Sequence, residues 1–146
     1  MLIKKILVVE DNYILNQDLC EFLREEGHQV KPIYCGKDAF EAVGRHQDLV
    51  ALLTDIDLGT GPDGIDVARY ARAFSPNLPV VFMSANSNGR HELAGVTGSE
   101  FIAKPFQPQQ IAKALSRVIQ LQADSAPKAF RPLTSKRRSR ASLLAA

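Results

Sequence analysis

Five short apolar runs alternate with amphipathic helical patterns along this chain, and this alternation restricts the fold more than any other feature of the sequence. The clearest runs cover residues 6–9, 49–53 and 80–83. Runs that are apolar at every position are typical of parallel strands buried on both faces. Joined by helices through right-handed crossovers, such strands predict an α/β fold, a doubly wound five-stranded parallel sheet with helices on both faces.

Weaker signals complete the order of the elements. Residues 30–34 predict a second strand, which Pro32 places at an edge of the sheet, and residues 101–103 predict a fifth. Five helical patterns separate or follow the strands. The first is capped by Asp11 or Asn12, turns Leu15, Leu19 and Phe22 inward and ends at Gly27. The other four cover residues 37–46, a stretch from Ile65 that ends before Pro76, a weak pattern over residues 89–93, and a final one from Ile111 to Ile119.

Charge and composition both change near residue 122. Residues 1–122 hold 12 Lys and Arg against 15 Asp and Glu, a net charge of −3, whereas residues 123–146 carry six basic residues and one acid, a net charge of +5. Ser, Pro, Arg and Ala dominate this last segment, which contains few large apolar side chains. We therefore expect one folded domain over residues 1–122 and a basic, disordered tail over residues 123–146.

Several classes of protein are excluded by what the sequence lacks. No apolar run approaches the roughly 20 residues that a membrane-spanning helix needs, and the first residues lack the pattern of a signal peptide. The two cysteines, Cys20 and Cys35, have no metal-binding spacing. We expect them to be reduced thiols of a cytoplasmic protein that does not act at a membrane.

Charged and polar residues follow the predicted strands at their carboxyl ends, where open α/β sheets carry their chemistry. Glu10 and Asp11 follow the first strand, Asp55 and Asp57 the third, Ser84 the fourth and Lys104 the fifth. Carboxylates gathered at one edge repel one another unless a positive charge is present, and carboxylate oxygens suit Mg²⁺. Glu10, Asp11 and Asp55 together carry −3, which Mg²⁺ and Lys104 would balance.

The segments at these strand ends resemble the receiver domain of bacterial two-component response regulators. They are ILVVEDN (6–12), LLTDIDLG (52–59), FMSAN (82–86) and FIAKPF (101–106), and the resemblance extends from residue 4 to about 122. It implies a flavodoxin-like sheet of strand order 2-1-3-4-5. This chain also departs from the pattern that is usual in the family. Its loop from Asp55 to Gly64 is one residue longer than the common form and lacks the proline that commonly stands shortly after the phosphoacceptor.

The resemblance implies a role for each residue at the strand ends. Asp55 would be the phosphoacceptor, assisted by Lys104. Mg²⁺ would bind the carboxylates of Glu10, Asp11 and Asp55 and the backbone carbonyl of Asp57. Ser84 and Phe101 would act as the switch hydroxyl and the switch aromatic. Phosphoryl transfer to a carboxylate needs few other groups, because positioning and charge neutralisation supply most of the catalysis.

The resulting hypothesis is a single-domain response regulator that is phosphorylated by a histidine kinase or a histidine phosphotransfer protein. It would catalyse only its own Mg²⁺-dependent phosphorylation and dephosphorylation. Since 24 residues cannot form an effector domain, we expect output through protein contacts on the weak fourth helix, the fifth strand and the final helix, and we leave a homodimer open. A phosphate sink and a fragment of a hybrid kinase are alternatives with the same chemistry.

Two alternatives come from other classes of protein. Asp55 and Asp57 resemble the opening of the haloacid-dehalogenase-like phosphatase motif, but that motif belongs on the first strand and requires Thr or Val where Gly59 stands. The run from Lys136 to Arg140 could bind nucleic acid. Because the tail lacks interleaved aromatic residues, a solubilising extension is the better interpretation.

Overall fold

The computed structural model describes residues 5–45, 48–86 and 95–124. Within these residues the chain forms five strands and four helices, in the order β1 (Lys5–Val9), α1 (Tyr13–Glu25), β2 (Gln29–Ile33), α2 (Gly36–Arg45), β3 (Leu49–Asp55), α3 (Gly64–Phe74), β4 (Val80–Ser84), β5 (Glu100–Ala103) and α4 (Pro108–Asp124). The weak helix predicted over residues 89–93 and most of the predicted tail lie outside the described residues. The final helix ends at Asp124, two residues beyond the predicted end of the folded domain.

The five strands form one parallel sheet of order β2-β1-β3-β4-β5, which confirms the predicted fold and strand order. Strand β2 lies at an edge, as Pro32 predicts, because a proline nitrogen cannot donate a hydrogen bond to a strand on its outer side. All the carboxyl ends of the strands therefore meet at the same edge of the sheet.

The core consists of two apolar layers, one on each face of the sheet. Side chains of a strand alternate between faces, so Ile6 and Val8 point to one side and Leu7 and Val9 to the other. Helices α1 and α4 cover the first face, and α2 and α3 cover the second. Because both faces are covered, the central strands are apolar throughout, and the predicted placement of helices on both faces is confirmed.

The first helix begins and ends on identifiable residues. Asn12, rather than Asp11, is the N-cap, since its Oδ1 accepts a hydrogen bond of 3.0 Å from the Leu15 amide. Gly27 follows the end of the helix with a φ of 96°, a left-handed conformation that glycine adopts without strain. Asp11 is thereby left without a capping role at the edge of the sheet. None of the helices described in this chain is long and apolar enough to cross a bilayer.

Candidate functional site

Three charged side chains meet at the carboxyl edge of the sheet. Glu10 follows β1, Asp55 ends β3 and Lys104 follows β5, so they come from three separate strands. The Lys104 ammonium lies 2.7 Å from Glu10 Oε1 and 2.7 Å from Asp55 Oδ2 and bonds both carboxylates. The structure thus brings together the acids and the lysine that the sequence analysis placed at this edge.

The burial of these groups strengthens their electrostatic coupling. Glu10 is fully buried and Asp55 is 5% exposed. Burial raises the pKa of Glu10 to about 7, against the hydrogen bonds from Lys104 and the Asn12 amide, while the charge of Asp55 raises this pKa further. Burial alone would lower the pKa of Lys104, but the hydrogen bonds and charges of Asp55 and Glu10 raise it overall. Lys104 therefore remains a protonated partner of both acids.

The third acid, Asp11, completes a group of ligands suited to a hard cation. One oxygen from each of Glu10, Asp11 and Asp55 lies within 4.8 Å of the other two. With all four groups ionised, the three carboxylates and Lys104 carry a net charge of −2, which a divalent cation would neutralise. Asp11 is exposed, so a cation could keep water molecules on that side, as Mg²⁺ usually does. The donor set therefore fits Mg²⁺.

The loop after β3 supplies a second hydrogen bond to Asp55. The backbone N–H of Asp57 donates to Asp55 Oδ1 at 3.1 Å, while the Asp57 side chain is exposed. The loop then returns to the sheet at Gly64, where a Cβ atom would lie 2.0 Å from the Asp55 carbonyl oxygen. Only glycine fits at that position, so the longer loop still closes tightly around Asp55. That the Asp57 carbonyl binds a metal stays a prediction.

The two predicted switch residues lie on β4 and β5. Ser84 ends β4 and is buried, and its Oγ accepts a hydrogen bond of 2.9 Å from the Asn86 amide. Its carbonyl accepts the Lys104 amide at 2.9 Å, so the two residues are tied through the backbone. Phe101 pairs in register with Phe82 and is half-buried against the layer of α2 and α3. Their roles as switches stay predictions.

One buried polar residue near the site was missed by the sequence analysis. The predicted inner face of α1 contained Leu15, Leu19 and Phe22, but the helix buries Asn16, Leu19, Cys20 and Leu23. Asn16 is fully buried, and its amide bonds the carbonyl of Glu10. Its spacing of three and four residues from Leu19 and Cys20 was the signal that could have found it.

Comparison with known proteins identifies relatives along most of the chain. The family model of the response regulator receiver domain matches residues 6–116. A curated relative, the two-component response regulator PhoP of Pseudomonas aeruginosa, is 31% identical over 79% of this chain and 51% of its own length. The chain spans about half the length of the curated relatives it matches.

Solved structures share the fold. The response regulator receiver protein of Sinorhizobium medicae is 31% identical, with a TM-score of 0.76 over 81% of this chain and 95% of that one. The receiver domain of the sensor histidine kinase PA1611 of Pseudomonas aeruginosa is 28% identical, with a TM-score of 0.70 over 80% of this chain and 97% of that one. The PA1611 domain was crystallised with a magnesium ion coordinated in its active-site cleft.

Proposed function

This chain belongs to the response regulator receiver family of two-component signalling, and we propose that its Asp55 accepts a phosphoryl group from a phosphohistidine of a histidine kinase or a histidine phosphotransfer protein. One observation carries the proposal. The Asp55 carboxylate lies at the carboxyl edge of the sheet, with Lys104 on one oxygen and the Asp57 amide on the other. Both donors orient the carboxylate.

The transfer is a displacement at phosphorus. An oxygen of Asp55 forms a bond to the phosphorus atom as the bond to the histidine nitrogen breaks, and the imidazole leaves with the bonding electrons. The products are an acyl phosphate and a neutral histidine, because the other nitrogen of the donor's imidazole ring keeps its proton. The Lys104 ammonium, 2.7 Å from Asp55 Oδ2, lies where it can stabilise negative charge on the transferred oxygens.

We propose that the carboxylates of Glu10, Asp11 and Asp55, with the backbone carbonyl of Asp57, hold a Mg²⁺ ion. When bound, the ion neutralises charge on the phosphoryl oxygens and orients the phosphodonor. Glu10 is held at both carboxylate oxygens, because the backbone N–H of Asn12 donates to its Oε2 at 3.0 Å and Lys104 donates to its Oε1. Asp11 is the exposed carboxylate ligand of the set.

Ser84 and Phe101 are proposed to report phosphorylation to the surface. The Ser84 Oγ accepts a hydrogen bond from the backbone N–H of Asn86. The hydroxyl proton of Ser84 is thereby available for a phosphoryl oxygen on Asp55. Such a bond forms only after transfer and would bias the chain that follows β4. Phe101, half-buried beside Phe82, would respond through packing alone because it has no hydroxyl group.

Exposure to acetyl phosphate and Mg²⁺ tests the proposed function, since a receiver takes one phosphoryl group from this small donor without a kinase. Intact mass spectrometry should show a single addition, and acid hydroxylamine sensitivity should identify it as an acyl phosphate. No addition at any Mg²⁺ concentration would contradict the proposal.

Turnover separates the proposed receiver from the haloacid-dehalogenase-like phosphatase. An enzyme of that kind would hydrolyse an aryl phosphate repeatedly, at rates of roughly 1 per second or more. We expect one slow turnover at most and no sustained release of the aryl alcohol, because Asp57 bonds Asp55 through its backbone N–H and its side chain is exposed. A steady-state assay measures this directly, and multiple turnovers would favour the phosphatase.

Output is proposed to pass through protein contacts on β5 and α4, together with the chain between β4 and β5. Glu100 on β5 and Arg117 on α4 form a two-pronged ion pair there, with contacts of 2.7 and 2.8 Å, which a charged partner could replace. A homodimer through the same surface is an alternative. We also propose a cytoplasmic location, because Cys20 and Cys35 are both free thiols, as a reducing compartment favours.

A free-standing regulator, a phosphate sink and a receiver module of a longer hybrid kinase share this chemistry. The mass of the native protein distinguishes the last of them, because an antibody against residues 5–124 should detect a species near 16.0 kDa in source cells. A larger species would assign the domain to a longer protein. A phosphate sink draws phosphoryl groups away from another response regulator that shares its kinase. Reduced output from that second regulator, when this chain is overproduced, would favour a sink.

Two exposed apolar residues beside the acidic site are proposed as the docking surface for the phosphodonor protein. Tyr13 and Ile14 begin α1 directly after Asp11 and Asn12, and they are 63% and 72% exposed. Tyr13 stacks on Tyr34 with ring centroids 5.5 Å apart, so this patch is held in place. Apolar side chains exposed beside a reactive group are typical of a contact surface.

The change Ile14→Ser should slow transfer from a phosphorylated protein donor about tenfold, since a central apolar contact typically contributes that much. Labelling by acetyl phosphate should not change, because that donor makes no contact with α1. Phe74→Ser is the matched control: Phe74 is 55% exposed but ends α3, at the opposite edge of the sheet. Transfer rates are measured with the kinase that transfers fastest in a profile of the source organism's kinases, and equal slowing by both changes would contradict this docking surface.

A further inference from the structure

Asn16 is a fully buried amide on α1 that bonds the ends of two strands. Its Nδ2 lies 2.9 Å from the Ile33 carbonyl oxygen, 3.1 Å from that of Glu10 and 3.3 Å from that of Val8. The Cys20 thiol contacts its Oδ1 at 3.3 Å, which fixes the direction in which the amide points. An amide on the apolar face of a helix is costly to bury unless it is hydrogen-bonded, and here both its nitrogen and its oxygen have partners.

The contact with Glu10 bears directly on the acidic site. The carbonyl of Glu10 and the N–H of Asp11 belong to one planar peptide group. Glu10 lies just beyond β1, where the ladder with β2 ends, so the Asn16 amide takes the place of a strand partner. The Glu10 amide is also fixed, since it donates to the Ile33 carbonyl at 3.0 Å. The backbone that carries both acids is therefore held by Asn16 and β2.

We propose that Asn16 is a positioning residue for the Glu10–Asp11 peptide and that it sets how tightly the site holds a divalent cation. The proposal rests on the proposed function, because it takes these acids as metal ligands. Lys104 orients Glu10 by bonding its carboxylate, whereas Asn16 bonds the backbone carbonyl of Glu10. The effect of Asn16 therefore extends to Asp11, the next residue in the chain. Groups that orient metal ligands from behind typically change metal affinity 10–100-fold when removed.

Calorimetric titration of the Asn16→Leu and Asn16→Ser proteins with Mg²⁺ tests the proposal. Leucine has a similar volume and removes every hydrogen bond, and serine keeps a hydroxyl too short to reach the three carbonyls, so one variant remains informative if the other folds poorly. We expect the Kd for Mg²⁺ to rise about tenfold in both. Labelling by acetyl phosphate should recover most of its rate at saturating Mg²⁺, because Asp55 and Lys104 are unchanged.

Leu19→Ala is the control for a loss of stability without a loss of positioning. Leu19 is buried on the same helix, one turn away, and packs in the apolar layer of α1 and α4. The change Leu19→Ala should lower the Tm of the protein but leave its Kd for Mg²⁺ unchanged. An equal rise of the Kd in Leu19→Ala and the Asn16 variants would overturn the proposal, because metal affinity would then only follow stability.

Asp11→Ala separates this inference from the proposed function. If it weakens Mg²⁺ binding while both Asn16 variants bind within twofold of the unchanged protein, the metal site stands and the role of Asn16 is wrong. If Asp11→Ala leaves Mg²⁺ affinity unchanged, the proposed metal site itself fails, and the inference fails with it. A tenfold loss in the Asn16 variants beside a loss in Asp11→Ala supports both.

Discussion

Asp55→Asn protein should gain no phosphoryl group from acetyl phosphate and Mg²⁺, whereas Asp57→Asn protein should gain one. The amide of asparagine is not a nucleophile for this transfer, and it forms no acyl phosphate. Asp55 ends β3 at the edge of the sheet with Lys104 bonded to its Oδ2, so the substitution removes the carboxylate that the lysine bonds there. Labelling is measured by intact mass after brief exposure to the donor.

Asp57→Asn is the matched control for this prediction. Asp57 is two residues away and exposed, and it contacts Asp55 through its backbone N–H, which the substitution retains. Both changes replace a carboxylate by an amide near the end of β3, so a general effect of charge on donor binding would appear in both. Labelling of Asp55→Asn equal to that of the control would contradict the assignment. Loss of labelling in Asp57→Asn alone would move the acceptor to that residue.

The sequence predicted the position of the site because the periodicity of the strands determines it. Glu10, Asp55 and Lys104 each follow an apolar run, and parallel strands bring their carboxyl ends to one edge. Their proximity therefore follows from topology alone. The distances do not, since the shared Lys104 ammonium depends on the path of the chain after β5, which no local pattern specifies.

The burial of Asn16 could not be predicted from the pattern of apolar residues in α1. Helix α1 has apolar residues on more than half of its circumference, including Ile14, which the structure leaves exposed, and Leu15, which it buries in part. Several faces are then almost equally apolar, and packing against the sheet selects among them. The selected face contains Asn16 because its amide can bond carbonyls at the ends of β1 and β2, an interaction that hydrophobicity cannot indicate.

Lys104→Met should reduce the free energy of unfolding by about 3 kcal/mol in the absence of divalent cations. Removing one partner of a buried ion pair typically costs about 3–5 kcal/mol, because the other charge stays buried and unpaired. Here two carboxylates, Glu10 and Asp55, lose their shared counter-charge. The lower end of that range applies, since 21% of the Lys104 side chain is exposed and Glu10 can take up a proton.

Addition of Mg²⁺ should restore much of this loss and should stabilise Lys104→Met more than it stabilises the unchanged protein. A cation among Glu10, Asp11 and Asp55 supplies the positive charge that methionine lacks, and a ligand that binds only the folded state stabilises it in proportion to its affinity. Urea unfolding with EDTA and with saturating Mg²⁺ measures both effects. Arg117→Met, which breaks the exposed ion pair with Glu100, is the control and should change stability little in either condition. An equal loss in Lys104→Met with and without Mg²⁺ would mean that the lysine and the cation do not neutralise the same carboxylates, and the electrostatic account of the site would then be wrong.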